Sequence, residues 1–159
     1  MLGGWQLSGL ATASSGRPIN ITIKRKPGAL LDGNTSSQRP DLVPGQSIYA
    51  SNQTIDNWFN PAAFVLPANG TWGDIGRNIA RGPGYYEIDT ALQKKFRITE
   101  RFSLNFRAEA FNLFNHPIYD SPSGNVSSGG FGQITSILNT GAVGTGTPRR
   151  YEFAMRLDF

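Results

Sequence analysis

The sequence has no Cys and a single His, His116. Without Cys there is no disulfide framework and no thiolate metal site, and one His argues against a His-based zinc site or a Ser-His-Asp triad. Charge is also scarce: 16% of the 159 residues are charged, against about a quarter in ordinary globular domains. No apolar run approaches the roughly 20 residues of a transmembrane helix. The N-terminal MLGGWQLSGLATASSG lacks a positive n-region and a continuous apolar stretch, so it does not read as a signal peptide. The net charge of +4 comes mostly from scattered Arg, and the basic run of note is Lys24-Arg25-Lys26. A nucleic-acid binder needs a basic stripe interleaved with aromatics; none is present, and nucleic acid is not an expected partner.

What the chain does have is 19 Gly and 10 Pro, with abundant Asn, Ser and Thr. That composition favours turns and strands over a helical bundle, yet stays below the level of low-complexity sequence. Three segments then alternate with period two. In GYYEIDTALQKKF (84–96), Tyr86, Ile88, Thr90, Leu92, Lys94 and Phe96 share one face, and Tyr85, Glu87, Asp89, Ala91, Gln93 and Lys95 the other. In FSLNFRAEAFNLF (102–114), Phe102, Leu104, Phe106, Ala108, Ala110 and Phe114 oppose Ser103, Asn105, Arg107 and Glu109, with Asn112 interrupting the apolar face. In RYEFAMRLDF (150–159), Tyr151, Phe153, Met155, Leu157 and Phe159 oppose Arg150, Glu152, Ala154, Arg156 and Asp158. A weaker alternation over 4–23 predicts one long bent strand or two short ones. Five residues, 97–101, separate the first two clear strands, which suits an antiparallel hairpin.

The runs last ten to thirteen residues. Ordinary strands have about five or six, whereas a tilted strand crossing a bilayer needs roughly 9–11. Tyr86 and Phe96 bracket about 33 Å of strand, or about 25 Å along the membrane normal at a tilt near 40°. That is the height of the apolar band of an outer-membrane barrel between its aromatic girdles. The predicted fold is therefore all-β: an antiparallel, long-stranded sheet forming about four strands of a transmembrane β-barrel. The strands are placed at about 4–23, 84–96, 102–114 and 150–159, with long irregular outer loops at about 24–83 and 115–149. Four strands do not close a barrel, and an open edge in lipid leaves backbone groups unpaired. The chain is therefore expected to be a C-terminal piece of a larger barrel. Short turns are periplasmic and long loops extracellular in such barrels, which puts both loops outside. FGQITSI (131–137) is expected to be a hairpin in the outer loop.

Three motifs resemble the C-terminal end of TonB-dependent outer-membrane receptors, in particular the Oar-like subgroup. ARGPGYYEIDTALQKKF is similar to the family's Arg-Gly-Pro-Gly entry into a strand with an Asp and a Lys-Phe ending. FSLNFRAEAFNLFNHPIY resembles the subgroup's Arg-Ala-Glu-x-Phe-Asn-x-Phe-Asn-His strand, and FGQITSI with PRRYEFAMRLDF its Phe-Gly-x-Ile…Pro-Arg…Phe ending. GWQLSGLATASSGRPI is similar to an upstream strand of the same barrels. The resemblance implies energy-coupled nutrient uptake through a barrel of about 22 strands plugged by an N-terminal domain. The partners it implies are outer-membrane lipid, the rest of the barrel and its plug, the barrel-assembly machinery, and TonB through the N-terminal part that this sequence lacks. It also implies that Tyr151, Phe153, Met155, Leu157 and Phe159 form the signal read by the assembly machinery. The implied location is the outer membrane of a Gram-negative bacterium.

Strand parity puts Glu87, Asp89, Arg107 and Glu109 on the lumen side, where cross-strand ion pairs or wetting of the barrel interior are expected rather than hydrolytic carboxylate chemistry. No enzymatic activity, cofactor or metal is expected. His116 is assigned a turn or capping role, and the glycine-dense GAVGTG (141–146) a flexible loop, because no strand-to-helix context or Lys supports a phosphate loop. Asn34, Asn52, Asn69 and Asn125 open sequons that an Asn- and Thr-rich chain produces by chance. Trp58, Phe59, Phe64 and Trp72 give the longer loop aromatics that either touch a ligand or pack the loop. The rival class is a secreted β-sandwich that binds carbohydrate through those aromatics.

Overall fold

A computed structural model describes residues 3–26, 29, 37–138 and 146–159. In chain order the elements are β1 (Trp5–Ser14), β2 (Pro18–Ile19), β3 (Asp41–Leu42), a short 3-10 turn at Pro61–Ala63, β4 (Phe64–Val65), β5 (Ala80–Arg81), β6 (Tyr85–Arg97), β7 (Ser103–Phe111) and β8 (Arg150–Asp158). They fall into two compact units. The first comprises Met1–Ser14, Tyr85–Tyr119 and Ile137–Phe159; the second comprises Ser15–Gly84 and Asp120–Ser136.

The first unit is a four-stranded antiparallel sheet in the order β1-β6-β7-β8. Its register brings the apolar positions of all four strands to one side. Leu7, Leu92, Ala108 and Phe153 form one row; Trp5, Lys94, Phe106 and Met155 the next; Phe96, Leu104 and Leu157 a third. On the other side Gln6, Gln93, Arg107 and Ala154 share a row, as do Ser8, Ala91, Glu109 and Glu152, and Lys95, Asn105 and Arg156. A slip of one residue between any two strands would mix the two chemistries. The hairpin turn is residues 98–102, one residue later than the sequence suggests, because Arg97 still pairs with Ser103. Ile98 N–H donates to the Phe102 carbonyl at 2.9 Å, and Thr99 Oγ1 accepts from Phe102 N–H at 3.0 Å.

β1 stops at Ser14, so of the two forms expected for 4–23 the chain takes the second, two separate pieces. The physical reason is burial of the second piece. Ile19 and Ile21, together with Phe59, Ala63, Phe64, Ile75 and Ala80, form a buried hydrophobic cluster in the second unit. Alternation at Ile19, Ile21 and Ile23 therefore serves a closed core and not the long sheet. β7 likewise ends at Phe111 instead of 114, because Asn112 takes a left-handed backbone (φ 47°).

The second unit corrects the expectation that 24–83 is an irregular loop. It pairs β2 with β5 and β3 with β4, and its core residues Ile21 and Phe59 are fully buried. Phe131 stacks on Phe59 with centroids 5.6 Å apart and meets Phe64 edge-on at 5.6 Å. Phe131 is thus a core wall of this unit, and no strand hairpin forms over 131–137. Arg25 is buried and donates to three carbonyls, Thr71 at 2.6 Å, Ala68 at 2.7 Å and Pro67 at 2.9 Å. Its guanidinium fork organises the 67–71 turn. Gly16 is required by a close approach: a Cβ there would lie 1.7 Å from the Gly82 carbonyl oxygen.

Candidate functional site

The apolar side of the sheet is built by alternation alone, and the folded chain leaves much of it uncovered. Leu7, Phe153 and Met155 are 75%, 71% and 73% exposed. Trp5, Tyr86, Leu92, Phe96, Tyr151 and Leu157 are exposed too, as is Phe159 just past the end of β8. A contiguous apolar face of this extent marks contact with lipid or another apolar partner. Lys94 is the cation on this side. Its Nζ lies 4.4 Å from the Trp5 ring centroid and 5.0 Å from that of Phe96, so two aromatic faces receive the charge near the strand end.

The polar side carries ion pairs, but they run along strands rather than across them. Arg107 pairs with Glu109 at 2.6 Å, Arg150 with Glu152 at 3.0 Å, and Arg156 with Asp158 at 2.7 Å. The register explains this: Glu109 sits directly opposite Glu152. Like charges across the ladder repel, and each carboxylate takes the Arg two residues away on its own strand. Such partly exposed pairs contribute about 0–1 kcal/mol each. Asn105 also donates to the Asp158 carboxylate across the ladder.

Glu87 and Asp89 take backbone partners instead of ion pairs. Glu87 is 4% exposed, and its Oε2 accepts from Gly146 N–H at 2.9 Å. Asp89 Oδ1 accepts from Asn112 N–H at 2.8 Å. Both carboxylates hold chain connections to the sheet. Of GAVGTG only Gly146 falls among the described residues, and Asn34 lies outside them.

The residue that sequence reasoning undervalued is Asn112. Its Nδ2 donates to the carbonyls of Thr147 at 2.9 Å and His116 at 3.0 Å, while its Oδ1 accepts from His116 N–H at 2.9 Å. Asn115, also left-handed at φ 52°, accepts from Arg149 N–H at 3.1 Å. The available signal was Asn-Leu-Phe-Asn: Asn tolerates the left-handed region and bonds nearby backbone, which ends a strand. The His116 ring lies 4.5 Å from that of Tyr86.

The four loop aromatics separate. Phe59 and Phe64 are core residues, which removes them as ligand contacts. Trp58 packs against the same core and donates through Nε1 to the Arg81 carbonyl at 2.9 Å. Trp72 alone is largely exposed, at 62%.

An all-β chain whose long antiparallel strands segregate apolar from polar side chains is an outer-membrane β-barrel segment by class. Comparison with protein families agrees: the family described as outer membrane beta barrel domain matches residues 1–151. The chain belongs to that family, and its place is the outer membrane. Comparisons with curated proteins and with solved structures give no match. No helix among the described residues is long and apolar enough to cross a membrane.

Proposed function

We propose that this chain forms four strands of a TonB-dependent receptor barrel that imports a nutrient, without enzymatic chemistry of its own. The observation that carries the reading is the four-strand apolar face, in register from Leu7 to Phe153 and exposed. Its partners are then hydrocarbon on that side and, at the unpaired edges of β1 and β8, further barrel strands that leave no backbone group unsatisfied in lipid. The polar rows, with Arg107 and Glu109, line the lumen. Glu87 and Asp89 anchor the connections at one strand end. The short 98–102 turn is periplasmic, and the long connections leave from the opposite strand ends, outside the cell. β8 supplies a sheet edge with an apolar face suited to recognition by strand addition during assembly.

Purified without detergent, the chain should aggregate or bind phospholipid vesicles, and it should co-float with them after carbonate washing. A soluble monomer in plain buffer overturns the membrane reading and restores the rival soluble carbohydrate-binding sandwich. Receptor function is tested separately. Loss of the gene and loss of TonB should give the same growth defect on a panel of sole nutrients, and defects that do not coincide refute energy-coupled import.

A further inference from the structure

The second unit holds a cleft of about 510 Å³ lined by Asn20, Thr22, Ser37, Gln38, Arg39, Trp72 and Arg77. Its walls are fixed by the backbone. Ile23 and Gln38 exchange both main-chain bonds, at 2.6 and 2.9 Å. Asp41 Oδ1 accepts from Asp74 N–H at 2.9 Å, and Asp74 Oδ1 accepts from Leu42 N–H at 3.0 Å. Gly73 is pressed onto Arg39: a Cβ there would sit 2.0 Å from the Arg39 carbonyl oxygen. That contact sets Trp72 beside Arg39. On the other side, Asn20 Oδ1 accepts from Asn78 N–H at 2.9 Å, which seats Arg77 next to Asn20.

The chemistry of this cleft is uncompensated in two ways. Arg39 and Arg77 are exposed and have no ion-pair partner among the described residues, and the nearby Asp41 and Asp74 carboxylates are committed to backbone N–H groups. Gln38 is 7% exposed, and its Oε1 and Nε2, both shut off from solvent, have no hydrogen-bond partner among the described residues. Buried amides are almost always satisfied, and this one gains partners only if its side chain turns toward the cleft.

We propose that this cleft binds an acidic saccharide, a uronic-acid oligomer in chemical class. Trp72 offers a flat apolar surface to a sugar ring, the two guanidiniums take its carboxylates as charge-assisted bonds, and Asn20, Ser37 and Thr22 meet hydroxyl groups. This names a cargo class for the receptor reading and rests on that reading only for the cleft's outward exposure.

The test is calorimetric titration of the full chain in detergent micelles with trigalacturonate, maltotriose and inorganic phosphate. Trigalacturonate should bind saturably, and at least about tenfold tighter than maltotriose. Arg39→Gln and Arg77→Gln should each weaken it by about tenfold or more, the scale of a lost charged hydrogen bond, and Trp72→Ala should weaken both sugars. Neither guanidinium has an ion-pair partner among the described residues, so unchanged thermal unfolding of these variants separates lost binding from lost structure. Equal affinity for acidic and neutral sugars overturns the proposal. So does indifference to both Arg substitutions, and so does phosphate binding as tightly as the oligomer. Failure of vesicle co-flotation would refute the barrel reading while leaving this titration interpretable on its own.

Discussion

Leu92 offers the sharpest test of which side of the sheet meets hydrocarbon. It lies on the apolar side between Leu7 and Ala108, and its neighbour Gln93 faces the other way. From Tyr86, six residues of strand at about 3.3 Å each and a tilt near 40° put Leu92 about 15 Å along the membrane normal. It is then about 10 Å short of Phe96 on the same scale, close to mid-bilayer. Arg on the lipid face at that depth costs about 2–4 kcal/mol, or about 30- to 900-fold in the folding equilibrium. Leu92→Arg should therefore lower the unfolding free energy of the vesicle-inserted chain, read from urea titrations followed by tryptophan emission, by that much. Gln93→Arg, in a row with Gln6 and Arg107, should change it by no more than about 0.5 kcal/mol. Equal costs for the two substitutions would refute the assignment of faces, as would a larger cost for Gln93→Arg.

Three further outcomes are expected of the same structure. Because the chain has no Cys, single cysteines at 151 to 157 on β8 should react with a water-soluble maleimide in vesicles at 152, 154 and 156, and weakly at 151, 153, 155 and 157. Asn112→Ala should cost about 2–4 kcal/mol, the sum of a strained left-handed backbone and orphaned buried groups. Asn112→Gly should recover only the backbone share, both read from urea midpoints. Phe59→Ala, which empties a fully buried site, should cost the second unit about 3–5 kcal/mol and expose 15–84 to trypsin while β6 and β7 remain protected.

The long strands were legible because a strand's side chains alternate with strict period two, and one polar or apolar choice repeated ten times leaves little doubt about the element or its faces. Pairing order was partly legible from the five-residue turn. The Asn112 network was not, since its partners Thr147 and Asp89 are distant in sequence. Parity assigns the charges to one side but does not choose their partners, and the opposition of Glu109 and Glu152 directs the ion pairs along the strands.

By itself, then, the sequence determined that this is an all-β chain with one greasy and one wet side to each long strand, because that information is local and periodic. Only the tertiary structure decided that 15–84 folds around Phe59, Ile21 and Phe131, that Phe64 belongs inside and Trp72 outside, and that Arg39, Arg77 and Gln38 share a cleft with it. A non-periodic core is assembled by contacts between residues far apart in the chain, and no short-range pattern records them.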